Sequence, residues 1–447
     1  MSTSAAELSV IILAAGKGTR MKSRRAKVLH EIAGWPLLAY PLAMAESLRP
    51  QQIFVVVGRD AEEVQEAFAG RANFVLQAEQ RGTGHAVLQA REKLAAFRGD
   101  LLILYGDTPL LTAATLSRML EHKARTRADL VLLSARTPLP GRVVRAPSGA
   151  VERIVEITDA TPEECAIEES NTGVYLVDSE LLWRALDQVG DKNQQGEIYL
   201  TDIVACAVRD GRCVEALLLA DAEEALGVNT RAELAHAAAA VRRRIAQRHM
   251  TAGVTIVDPE MTYIDMDVAI GRDTHIEPGC VITGATLIGE GVHIKAHSTI
   301  ESSQLDDDVV VGPCAHLRPG SRLRRGVRIG NFVEVKNSDL GEGVKADHLA
   351  YIGDADVGPG AHFGCGAITV NYDGVKKHRT TVETGAFIGC NANLIAPVIL
   401  KREAYVAAGS TVTQDVPEGA LAVARARQRN VEGWRQRRRK QNGSADT

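Results

Sequence analysis

The sequence predicts two domains of different fold class, an α/β domain followed by a parallel β-helix. From Ser9 to about Asn229, short apolar segments alternate with amphipathic ones. Such alternation favours a mostly parallel sheet covered by helices, with ligands at the carboxyl ends of the strands. Beyond Ala252, aliphatic residues recur every six positions. This period fits neither an α-helix nor a hairpin sheet, but it is typical of hexapeptide repeats that wind into a β-helix.

Composition limits the class of protein and its partners. Of the 447 residues, 45% are hydrophobic and 24% charged, which is ordinary for a soluble globular protein. The net charge of −4 gives no reason to expect a nucleic-acid partner. No apolar run reaches the length of a membrane span, so no membrane insertion is expected. The seven cysteines include no CxxC pair, which argues for reduced thiols, a cytoplasmic location and no zinc site.

The first domain has readable strands and helices. The apolar run Val10–Ile12 predicts a buried parallel strand. Further candidate strands are Ile53–Val57, Phe74–Leu76, Leu101–Tyr105, Leu130–Ser134 and Val214–Leu219. Candidate helices are Leu37–Leu48, His85–Phe97 and Ala113–Lys123.

A glycine-rich stretch, Leu13–Arg20, follows the first strand. Gly16 and Gly18 flank Lys17, so backbone N–H groups can approach an anion with a cation beside them. The spacing is not that of a Walker A loop, and Met21 stands where the dinucleotide fingerprint has its third glycine. The stretch therefore predicts a phosphate cradle, with a strand-to-helix turn that binds nothing as the alternative.

A second strand end carries a carboxylate. The buried run Leu101–Tyr105 ends in Gly106 and Asp107. Ligands of parallel sheets bind at this end of the strands, so Asp107 is a candidate site residue. A turn or helix-cap residue is the alternative.

The hexad series defines the second domain. Its aliphatic residues are predicted to point into a triangular prism, with three hexapeptides in each coil. The series consists of Ile264, Ile270, Ile276, Ile282, Ile288, Ile294, Ile300, Leu305, Val311, Leu317, Leu323, Ile329, Val335, Val382, Ile388, Leu394, Leu400, Val406 and Val412. A polar segment, Asn371–Arg379, interrupts the repeat, and excursions from regular solenoids tend to be functional.

Two basic segments help to divide the chain. The Ala-rich segment from Arg231 to His249 predicts a helical connector whose arginine run, 242–244, forms a solvated face. The segment from Arg425 to Lys440 has eight basic residues and one acidic residue, which leaves open a disordered end or a segment that binds a phosphate-rich ligand. The predicted division is a flexible N-terminus at 1–8, an α/β domain at 9–230, a helical linker at 231–250, a β-helix at 251–425 and a basic tail at 426–447.

Short motifs stand in a specific order in both halves. In the first half they are Leu13–Met21, Lys27–His30, Gln77–Gln80, Gly82–Ala86, Tyr105–Asp107, Asn171–Gly173, Gly196–Glu197, Tyr199–Asp202 and Gly227–Asn229. In the second half they are Leu317–Gly320, Asn331–Lys336, His348–Asp354 and Asn371–Gly374. From about residue 8 to 436 the chain resembles the bacterial bifunctional N-acetylglucosamine-1-phosphate uridylyltransferase and glucosamine-1-phosphate N-acetyltransferase. The resemblance implies a Rossmann-like nucleotidyltransferase domain and a left-handed β-helix acetyltransferase domain.

In the first domain the resemblance implies uridylyl transfer from UTP to N-acetylglucosamine 1-phosphate, with Mg²⁺ as cofactor. Arg20 would neutralise charge on the departing pyrophosphate, while Asp107 and Asn229 would hold the metal. The sugar phosphate oxygen attacks the α-phosphorus directly, so no protein nucleophile is needed. The implied nucleotide- and sugar-binding residues are Leu13, Ala14, Ala15, Gly16, Lys27, Gln77, Gly82, Thr83, Tyr105, Gly106, Asp107, Gly141, Glu156, Asn171 and Asn229.

The sugar loop departs from the family pattern. The family usually has Gly-Tyr-Gly-Arg there, whereas this chain has Pro140, Gly141 and Arg142. Thr158 stands where the family usually has Lys.

In the second domain the resemblance implies acetyl transfer from acetyl-CoA to glucosamine 1-phosphate. His348 would be the base and Glu334 would orient its imidazole, because the attacking amine must be neutral. The implied acceptor-binding residues are Arg318, Lys336, Tyr351, His362, Asn371 and Tyr372. The implied acetyl-CoA contacts are Cys365, Cys390, Ala408 and Arg425. Three positions depart from the family, with His362 for Asn, Cys365 for Ala and Cys390 for a small hydroxyl residue.

The resemblance also implies a homotrimer in which neighbouring chains share each acetyltransferase site. Two other functions remain open at this stage. One is a nucleotidyltransferase whose β-helix serves only assembly, which His348 and the Asn371–Arg379 excursion argue against. The other is a non-catalytic regulatory subunit, which the presence of Lys27, Asp107 and Asn229 argues against.

Overall fold

The computed structural model describes residues 7–442. The chain divides into two compact units between Arg244 and Ile245. Residues 1–6 of the predicted N-terminal segment and 443–447 of the predicted tail lie outside the described residues. The first unit is an α/β fold and the second is built from three parallel sheets.

The first unit contains a nine-stranded sheet, a two-stranded hairpin and seven α-helices among its described residues. The strands are β1 (Leu8–Ala14), β2 (Glu31–Ile32), β3 (Trp35–Pro36), β4 (Gln52–Val57), β5 (Asn73–Leu76), β6 (Asp100–Tyr105), β7 (Leu130–Arg136), β8 (Gly141–Arg145), β9 (Val151–Glu156), β10 (Glu169–Asp178) and β11 (Val214–Leu218). The helices are α1 (Ala39–Ser47), α2 (Ala61–Ala67), α3 (Thr83–Leu88), α4 (Ala113–Thr126), α5 (Pro162–Cys165), α6 (Ser179–Leu186) and α7 (Asp202–Arg209). Short 3-10 helices cover Thr19–Met21, Lys27–Leu29 and Ala222–Ala225.

Strand β1 lies at the centre of the main sheet, whose order is β11-β7-β10-β6-β1-β4-β5. Its side chains alternate between the two faces of the sheet. Ile11 and Leu13 join one buried apolar cluster, while Val10 and Ile12 join the other. Burial on both faces explains why β1 reads as a continuous apolar run, and the predicted mostly parallel sheet is confirmed.

Two features of this unit differ from the prediction. Strand β10 is antiparallel to both β6 and β7, and the β8–β9 hairpin attaches to it. The sequence hides β10 because Asn171-Thr172-Gly173 reads as a turn, and the pairing is indeed irregular between Asn171 and Tyr175. The predicted helix His85–Phe97 is wrong beyond Leu88, where tight turns follow. Ala90 and Arg91 donate to carbonyls three residues back, so the α-helical ladder does not continue.

Helix α8 (Arg231–Thr251) covers most of the predicted connector. Its arginine run is partly solvated, as predicted, since the side chains of Arg243 and Arg244 are 48% and 36% exposed, but both also make contacts. Arg243 Nη2 lies 2.8 Å from Glu223 Oε1, and Arg244 Nη1 donates to the Leu110 carbonyl at 2.6 Å. These two arginines therefore attach this part of α8 to the α/β unit. A further helix, α9 (Trp434–Asn442), ends the described chain.

The second unit is a triangular prism, and each of its three walls is a parallel β-sheet. The first wall consists of Thr255–Ile256, His275–Ile276, His293–Ile294, Val310–Val311, Arg328–Asn331, Lys345–His348, His362–Phe363, Phe387–Ile388, Tyr405–Val406 and Leu421–Ala422. The second wall consists of Tyr263–Ile264, Val281–Thr283, Thr299–Glu301, His316–Leu317, Glu334–Lys336, Tyr351–Gly353, Ile368–Val370, Asn393–Ile395 and Thr411–Val412. The third wall consists of Ala269–Ile270, Leu287–Ile288, Gln304–Leu305, Arg322–Leu323, Asp339–Leu340, Ala355–Val357, Thr380–Val382 and Val398–Leu400.

The register of the walls confirms the hexad prediction. Ile264 pairs with Ile282, and Ile282 pairs with Ile300, so one coil spans three hexads. These residues are buried inside the prism. The polar excursion lengthens one coil. Ile368 pairs with Asn393, whereas strand partners elsewhere in the β-helix are usually 17 or 18 positions apart. The solenoid thus continues past the Asn371–Arg379 segment without losing register.

Candidate active sites

The N-terminal candidate site lies at the carboxyl edge of strands β1 and β6. A cavity of about 320 Å³ opens there. The predicted residues that line it are Leu13, Ala14, Ala15, Gly16, Lys27, Gln77, Gly82, Thr83, Tyr105, Asp107 and Asn229. Gly106 lies beside it, since its N–H donates to the Leu13 carbonyl at 2.9 Å. The fold therefore brings most of the predicted nucleotide-binding residues to one place.

Lys27, Asp107 and Asn229 form a connected polar group in this cavity. The Lys27 ammonium donates to Asp107 Oδ2 and, at 3.1 Å, to Asn229 Oδ1. The side chains of Lys27 and Asp107 are only 11% and 16% exposed. Partial burial strengthens a charge pair relative to one in water. Three residues that are far apart in sequence thus converge on one point.

Backbone contacts fix Asn229 opposite Asp107. The N–H of Val228 donates to the Asp107 carbonyl at 2.9 Å. The N–H groups of Asn229 and Thr230 both donate to the Glu233 carboxylate. Burial alone would raise the pKa of Glu233, but these hydrogen bonds outweigh it and lower the pKa. The first turn of α8 therefore holds the Asn229 amide in place.

The donor atoms here fit a Mg²⁺ ion. Asp107 Oδ2 and Asn229 Oδ1 face the same cation, the Lys27 ammonium. Both are hard oxygen donors of the kind that Mg²⁺ prefers. Within residues 7–442, His, Cys, Asp and Glu nowhere form a group of three that could hold a metal ion. The protein would thus supply two ligands and leave the others to phosphate oxygens and water, as is usual for Mg²⁺ bound with phosphates.

A second and larger cavity adjoins the first. Its volume is about 670 Å³, and the two share Ala14, Ala15, Gly16, Lys27, Val28 and Gln80 in their linings. Gly18 is required at its rim, because its φ is +59° and an added Cβ would lie 2.8 Å from Lys27 Cβ. Three further cations line the cavity without a carboxylate partner among the described residues: Lys17, Arg24 and Arg59. Arg25 also lines it but pairs with Glu31 at 2.9 Å.

Arg24 and Arg59 were not predicted as site residues, and Gln80 was part of the Gln77–Gln80 motif but had no predicted role. Gln80 donates through Nε2 to the Ala15 carbonyl, which ties its segment to the cradle. One signal in the sequence is the position of Arg59, two residues after the end of β4 at the edge where ligands bind. Arg20, in contrast, lines neither cavity and is exposed on the 3-10 helix Thr19–Met21. Its positive charge helps to lower the pKa of Glu233. A contact between Arg20 and pyrophosphate stays a prediction.

The predicted sugar-side residues meet through strand register. Gly141 pairs with Glu156 across the β8–β9 hairpin and with Asn171 on β10. Gly173 must lack a side chain, since its φ is +84° and an added Cβ would lie 2.4 Å from the Tyr105 ring.

Burial raises the pKa values of a carboxyl group and a phenol in the region of the sugar-side residues. Burial raises the pKa of Glu156, the Thr201 hydroxyl lowers it in part, and Asp202 and Asp159 raise it further. Burial also raises the pKa of Tyr105 well above its usual range. Asn171 Nδ2 donates to the Tyr175 hydroxyl at 2.7 Å. The region thus combines a carboxyl group, an amide and a neutral phenol.

The predicted acceptor residues of the β-helix lie on neighbouring coils. Glu334 pairs in register with Tyr351 on the second wall. Arg318 Nη1 donates to Glu334 Oε1 at 2.8 Å, and this hydrogen bond raises the pKa of Arg318. Asn371 Nδ2 lies 3.3 Å from the Tyr351 hydroxyl, and Tyr372 is exposed on the excursion. These side chains stand on the outer surface of the prism.

A second lysine joins the predicted Lys336. The neighbouring Lys336 ammonium lowers the pKa of Lys377, which belongs to the polar excursion. A nearby positive charge disfavours the charged ammonium, and an anion bound beside both lysines would offset that repulsion. Lys377 was not predicted as a site residue, because the effect of Lys336 on it depends on the path of the excursion and not on the local sequence.

His348 has a different partner from the one predicted. Its Nδ1 lies 2.7 Å from Asn331 Oδ1, on the neighbouring strand of the first wall. Glu334 binds Arg318 instead, so its predicted role of orienting the imidazole is not what the contacts of this chain support. An amide oxygen can only accept, so Nδ1 carries a hydrogen, and in the neutral imidazole Nε2 is then the nitrogen with the lone pair. The imidazole is exposed and can meet a ligand.

The predicted acetyl-CoA residues form a column along one corner of the prism. The N–H of Asn391 donates to the Cys365 carbonyl, and that of Gly409 donates to the Cys390 carbonyl, both at 2.8 Å. Cys365, Cys390 and Ala408 thus stack on three successive coils. An added Cβ at Gly409 would lie 4.0 Å from Arg425 Cδ, so Arg425 extends the column. His362 instead stacks its ring on Phe387, at 4.9 Å between ring centres, and its predicted acceptor role stays a prediction.

Comparison with known proteins identifies the family. Residues 10–252 match the family described as the MobA-like NTP transferase domain, and residues 267–302 match the bacterial transferase hexapeptide (six repeats). The bifunctional protein GlmU of Pelobacter propionicus is 48% identical over 455 residues, which cover 97% of this chain and 99% of the relative. That of Trichlorobacter lovleyi is 48% identical over 448 residues, which cover 95% of this chain and 97% of the relative. The chain belongs to the GlmU family.

Membership of the GlmU family confirms the sequence-based interpretation of two activities. The α/β unit is the nucleotidyltransferase and the hexapeptide β-helix, of the left-handed parallel type, is the acyltransferase. UDP-N-acetylglucosamine biosynthesis is the pathway that the family serves. Within residues 7–442, no helix combines the length and the apolar character needed to cross a membrane.

Proposed function

We propose that the two sites act in sequence on one sugar. The β-helix site transfers an acetyl group from acetyl-CoA to the amine of glucosamine 1-phosphate. The α/β site then transfers a uridylyl group from UTP to N-acetylglucosamine 1-phosphate and releases pyrophosphate. The observation that carries the proposal is the convergence of Lys27, Asp107 and Asn229 beside two adjoining cavities.

In the α/β site, the smaller cavity holds the uridine and the larger one the triphosphate. Leu13 to Gly16 offer backbone to the nucleotide, while Gln77, Gly82 and Thr83 contact its base and ribose. Lys17, Arg24 and Arg59 face the β- and γ-phosphates, because they are the cations of the larger cavity that have no acidic partner within residues 7–442. Preorganised positive charge of this kind stabilises the charge that develops on a leaving pyrophosphate.

The sugar phosphate approaches from the β8–β10 side. Asn171 and Glu156 bind the sugar, and Gly141 leaves room for it. Lys27 holds the attacking phosphate near the α-phosphorus, where its oxygen forms the new bond as pyrophosphate departs. Asp107 and Asn229 would hold Mg²⁺, which supplies charge neutralisation between the phosphates when bound.

In the β-helix site, His348 acts as general base. Its Nε2 removes a proton from the sugar ammonium, and the neutral amine attacks the thioester carbonyl. Asn331 keeps the imidazole in the required tautomer through the 2.7 Å contact at Nδ1. Arg318, Lys336 and Lys377 bind the sugar phosphate, and Tyr351, Asn371 and Tyr372 contact the sugar. Acetyl-CoA lies along the corner column from Cys365 to Arg425, and CoA leaves as the free thiol.

The active form is a homotrimer in which each β-helix site is completed by a neighbouring chain. The acceptor residues stand on an open outer surface, where His348 and Tyr372 are exposed. A site that must exclude water from its reaction needs a second surface. Sedimentation velocity combined with an acetylation assay tests this, and a monomer with full acetyltransferase activity would contradict it.

The protein acts in the cytoplasm, which keeps thiols reduced. All seven cysteines are free, in agreement with a reducing compartment. Mg²⁺, UTP and acetyl-CoA are its cofactor and co-substrates, and its product feeds cell-envelope precursors.

Purified protein should release pyrophosphate from UTP and N-acetylglucosamine 1-phosphate only with Mg²⁺. If it acetylates glucosamine 1-phosphate but releases no pyrophosphate, the proposed assignment of the α/β site fails.

A further inference from the structure

Cys365 and Cys390 occupy equivalent positions on neighbouring coils of the β-helix. His362 and Phe363 pair in register with Phe387 and Ile388, and each cysteine follows at the same distance along its coil. The Asn391 N–H donates to the Cys365 carbonyl at 2.8 Å, so the register persists through the corner. The two thiols therefore stand one above the other.

The spacing of the coils suits a disulfide. Neighbouring strands lie about 4.7–4.9 Å apart, and disulfides join residues whose Cα atoms are about 4.4–6.8 Å apart. The two corners are in close contact, because an added Cβ at Gly364 would lie 2.6 Å from the Cys390 nitrogen. Cys390 is exposed and Cys365 half-buried, so a small oxidant can reach the pair.

The other cysteines of the β-helix lack this arrangement. Cys280 is buried. The Cys314 N–H donates to the Ala296 carbonyl and its own carbonyl accepts from Phe332, so the coils above and below place no thiol next to it. Cys314 is therefore an internal comparison for Cys365 and Cys390, with similar exposure to Cys365 on the same prism.

We propose that Cys365 and Cys390 form a reversible disulfide that closes the acetyl-CoA site to its ligand. The inference rests on the proposed function, because these two residues and Ala408 form the column along which acetyl-CoA is placed. A bridge would draw two side chains of the column together and tie neighbouring corners. The surface offered to acetyl-CoA then changes, while the α/β unit is untouched.

The oxidant is a peroxide. One thiolate attacks hydrogen peroxide, which breaks the O–O bond and gives a sulfenic acid and hydroxide. The second thiol displaces water from the sulfenic acid and forms the S–S bond. Over both steps, two thiols lose two electrons and two hydrogens, and one peroxide becomes two waters. A cellular thiol such as glutathione reverses the reaction by thiol–disulfide exchange, as is expected for an exposed bridge in a reducing compartment.

The test uses the full-length protein treated with hydrogen peroxide and then with dithiothreitol. Peptide mapping by mass spectrometry looks for the Cys365–Cys390 cross-link, and both activities are measured before and after each treatment. Oxidation should raise the KM for acetyl-CoA at least about tenfold, and dithiothreitol should restore it. Pyrophosphate release from UTP should stay unchanged.

Matched variants separate this pair from other thiols. Cys365→Ser and Cys390→Ser should each abolish the response to peroxide, judged against the activity of the same variant before oxidation. Cys314→Ser should respond like the unmodified protein. No cross-linked peptide under conditions that oxidise Cys314 would overturn the proposal, and so would a cross-link that leaves the KM for acetyl-CoA unchanged. If the reduced protein has no acetyltransferase activity, the proposed function fails, whereas the peptide map still decides whether the disulfide forms.

Discussion

The two candidate sites of this chain are built in opposite ways. The α/β site is a cavity at one edge of the sheet, and its central contact joins Lys27 to Asp107 and Asn229, which lie 80 and 202 residues away. The β-helix site is open, and its contacts join residues about one coil apart, such as Asn331 and His348 at a separation of 17. A sheet with crossover connections gathers distant segments at one edge, whereas a solenoid presents neighbours along a wall. The first fold can complete a site within one chain, and the second favours completion by another copy.

The largest effect that would test this separation is expected from His348→Ala. Loss of the general base should lower acetyl transfer by about 10²–10⁴-fold and leave uridylyl transfer unchanged. Steady-state assays of both activities on the same preparation measure this. His316→Ala is the control, since His316 is another histidine of the β-helix, and its partner is the Glu301 carboxylate at 2.7 Å. Acetyl transfer within a few-fold of the unmodified protein would remove His348 from the mechanism.

Asp107→Asn should have the next largest effect, this time on the α/β site alone. It keeps the size of the side chain but removes the charge that faces Lys27, so uridylyl transfer should fall by about 10²–10³-fold. Acetyl transfer should not change. The control is Asp187→Asn, because Asp187 also pairs with a cation, Arg91, but its side chain is 55% exposed. Equal losses in both activities would instead indicate a damaged fold and contradict independent sites.

Asn331→Ala tests how the open site holds its base. Without the amide oxygen at Nδ1 the imidazole loses its fixed tautomer, and the kcat for acetyl transfer should fall about tenfold. The pH–rate profile of acetyl transfer should also shift, which a purely structural loss would not produce. Glu334→Gln is the comparison that decides between the two partners. A shifted profile in Glu334→Gln with a normal one in Asn331→Ala would restore the original sequence-based expectation.

Arg59→Ala tests the phosphate-binding role proposed for the larger cavity of the α/β site. Loss of one charged hydrogen bond to a phosphate should raise the KM for UTP about tenfold, with a smaller change in kcat. The KM for acetyl-CoA should stay the same. Arg71→Ala serves as control, since Arg71 pairs with Glu46 at 2.8 Å and does not line the cavity. An unchanged KM for UTP would leave the larger cavity without the role proposed for it.

The smallest effect is expected from Glu156→Gln, measured as thermal stability against pH. Burial raises the pKa of Glu156, so the folded protein holds this proton more tightly than the unfolded chain. Stability should therefore fall as the pH rises above the ordinary value of 4.5, through the raised pKa, and the variant should lose this decline. Glu152→Gln is the control, because Glu152 lies on the same strand but is exposed. Parallel stability curves for Glu156→Gln and the unmodified protein would show that the carboxyl is not perturbed.

The sequence predicted most of the α/β site but not its whole lining. Leu13 to Gly16 and Asp107 were identifiable because they lie at or just beyond the carboxyl end of a buried apolar strand, at the ligand-binding edge. Arg24 was not, since arginines in loops are usually solvated and nothing local marks this one, and Arg59 had only its place just beyond β4 as a signal. Arg20 was assigned a role at the pyrophosphate, yet it lines neither cavity. Its direction depends on the 3-10 helix Thr19–Met21, where Met21 is the buried residue.

In the β-helix, too, the sequence predicted the stacking of the core but not the contacts between outward side chains. Its coil length follows from the hexads, so Ile264 could be predicted to stack on Ile282. Contacts between outward side chains could not be predicted in the same way. Whether Glu334 binds His348 or Arg318 depends on side chains of similar reach on adjoining walls, and the structure pairs it with Arg318. Likewise, the effect of Lys336 on the pKa of Lys377 depends on the path of the excursion, which the sequence does not reveal.

What the sequence by itself determined is the kind of each domain. Strand length, helix alternation and a six-residue period are local properties, and they follow from where apolar side chains must be buried. What only the tertiary structure decided is which polar groups meet. Lys27, Asp107 and Asn229 share one point, and Cys365 stacks on Cys390, because sheet order and coil register bring distant segments together. Burial produces a periodic pattern of apolar residues that is visible in the sequence. A polar contact between two distant residues leaves no such pattern, so only the tertiary structure shows it.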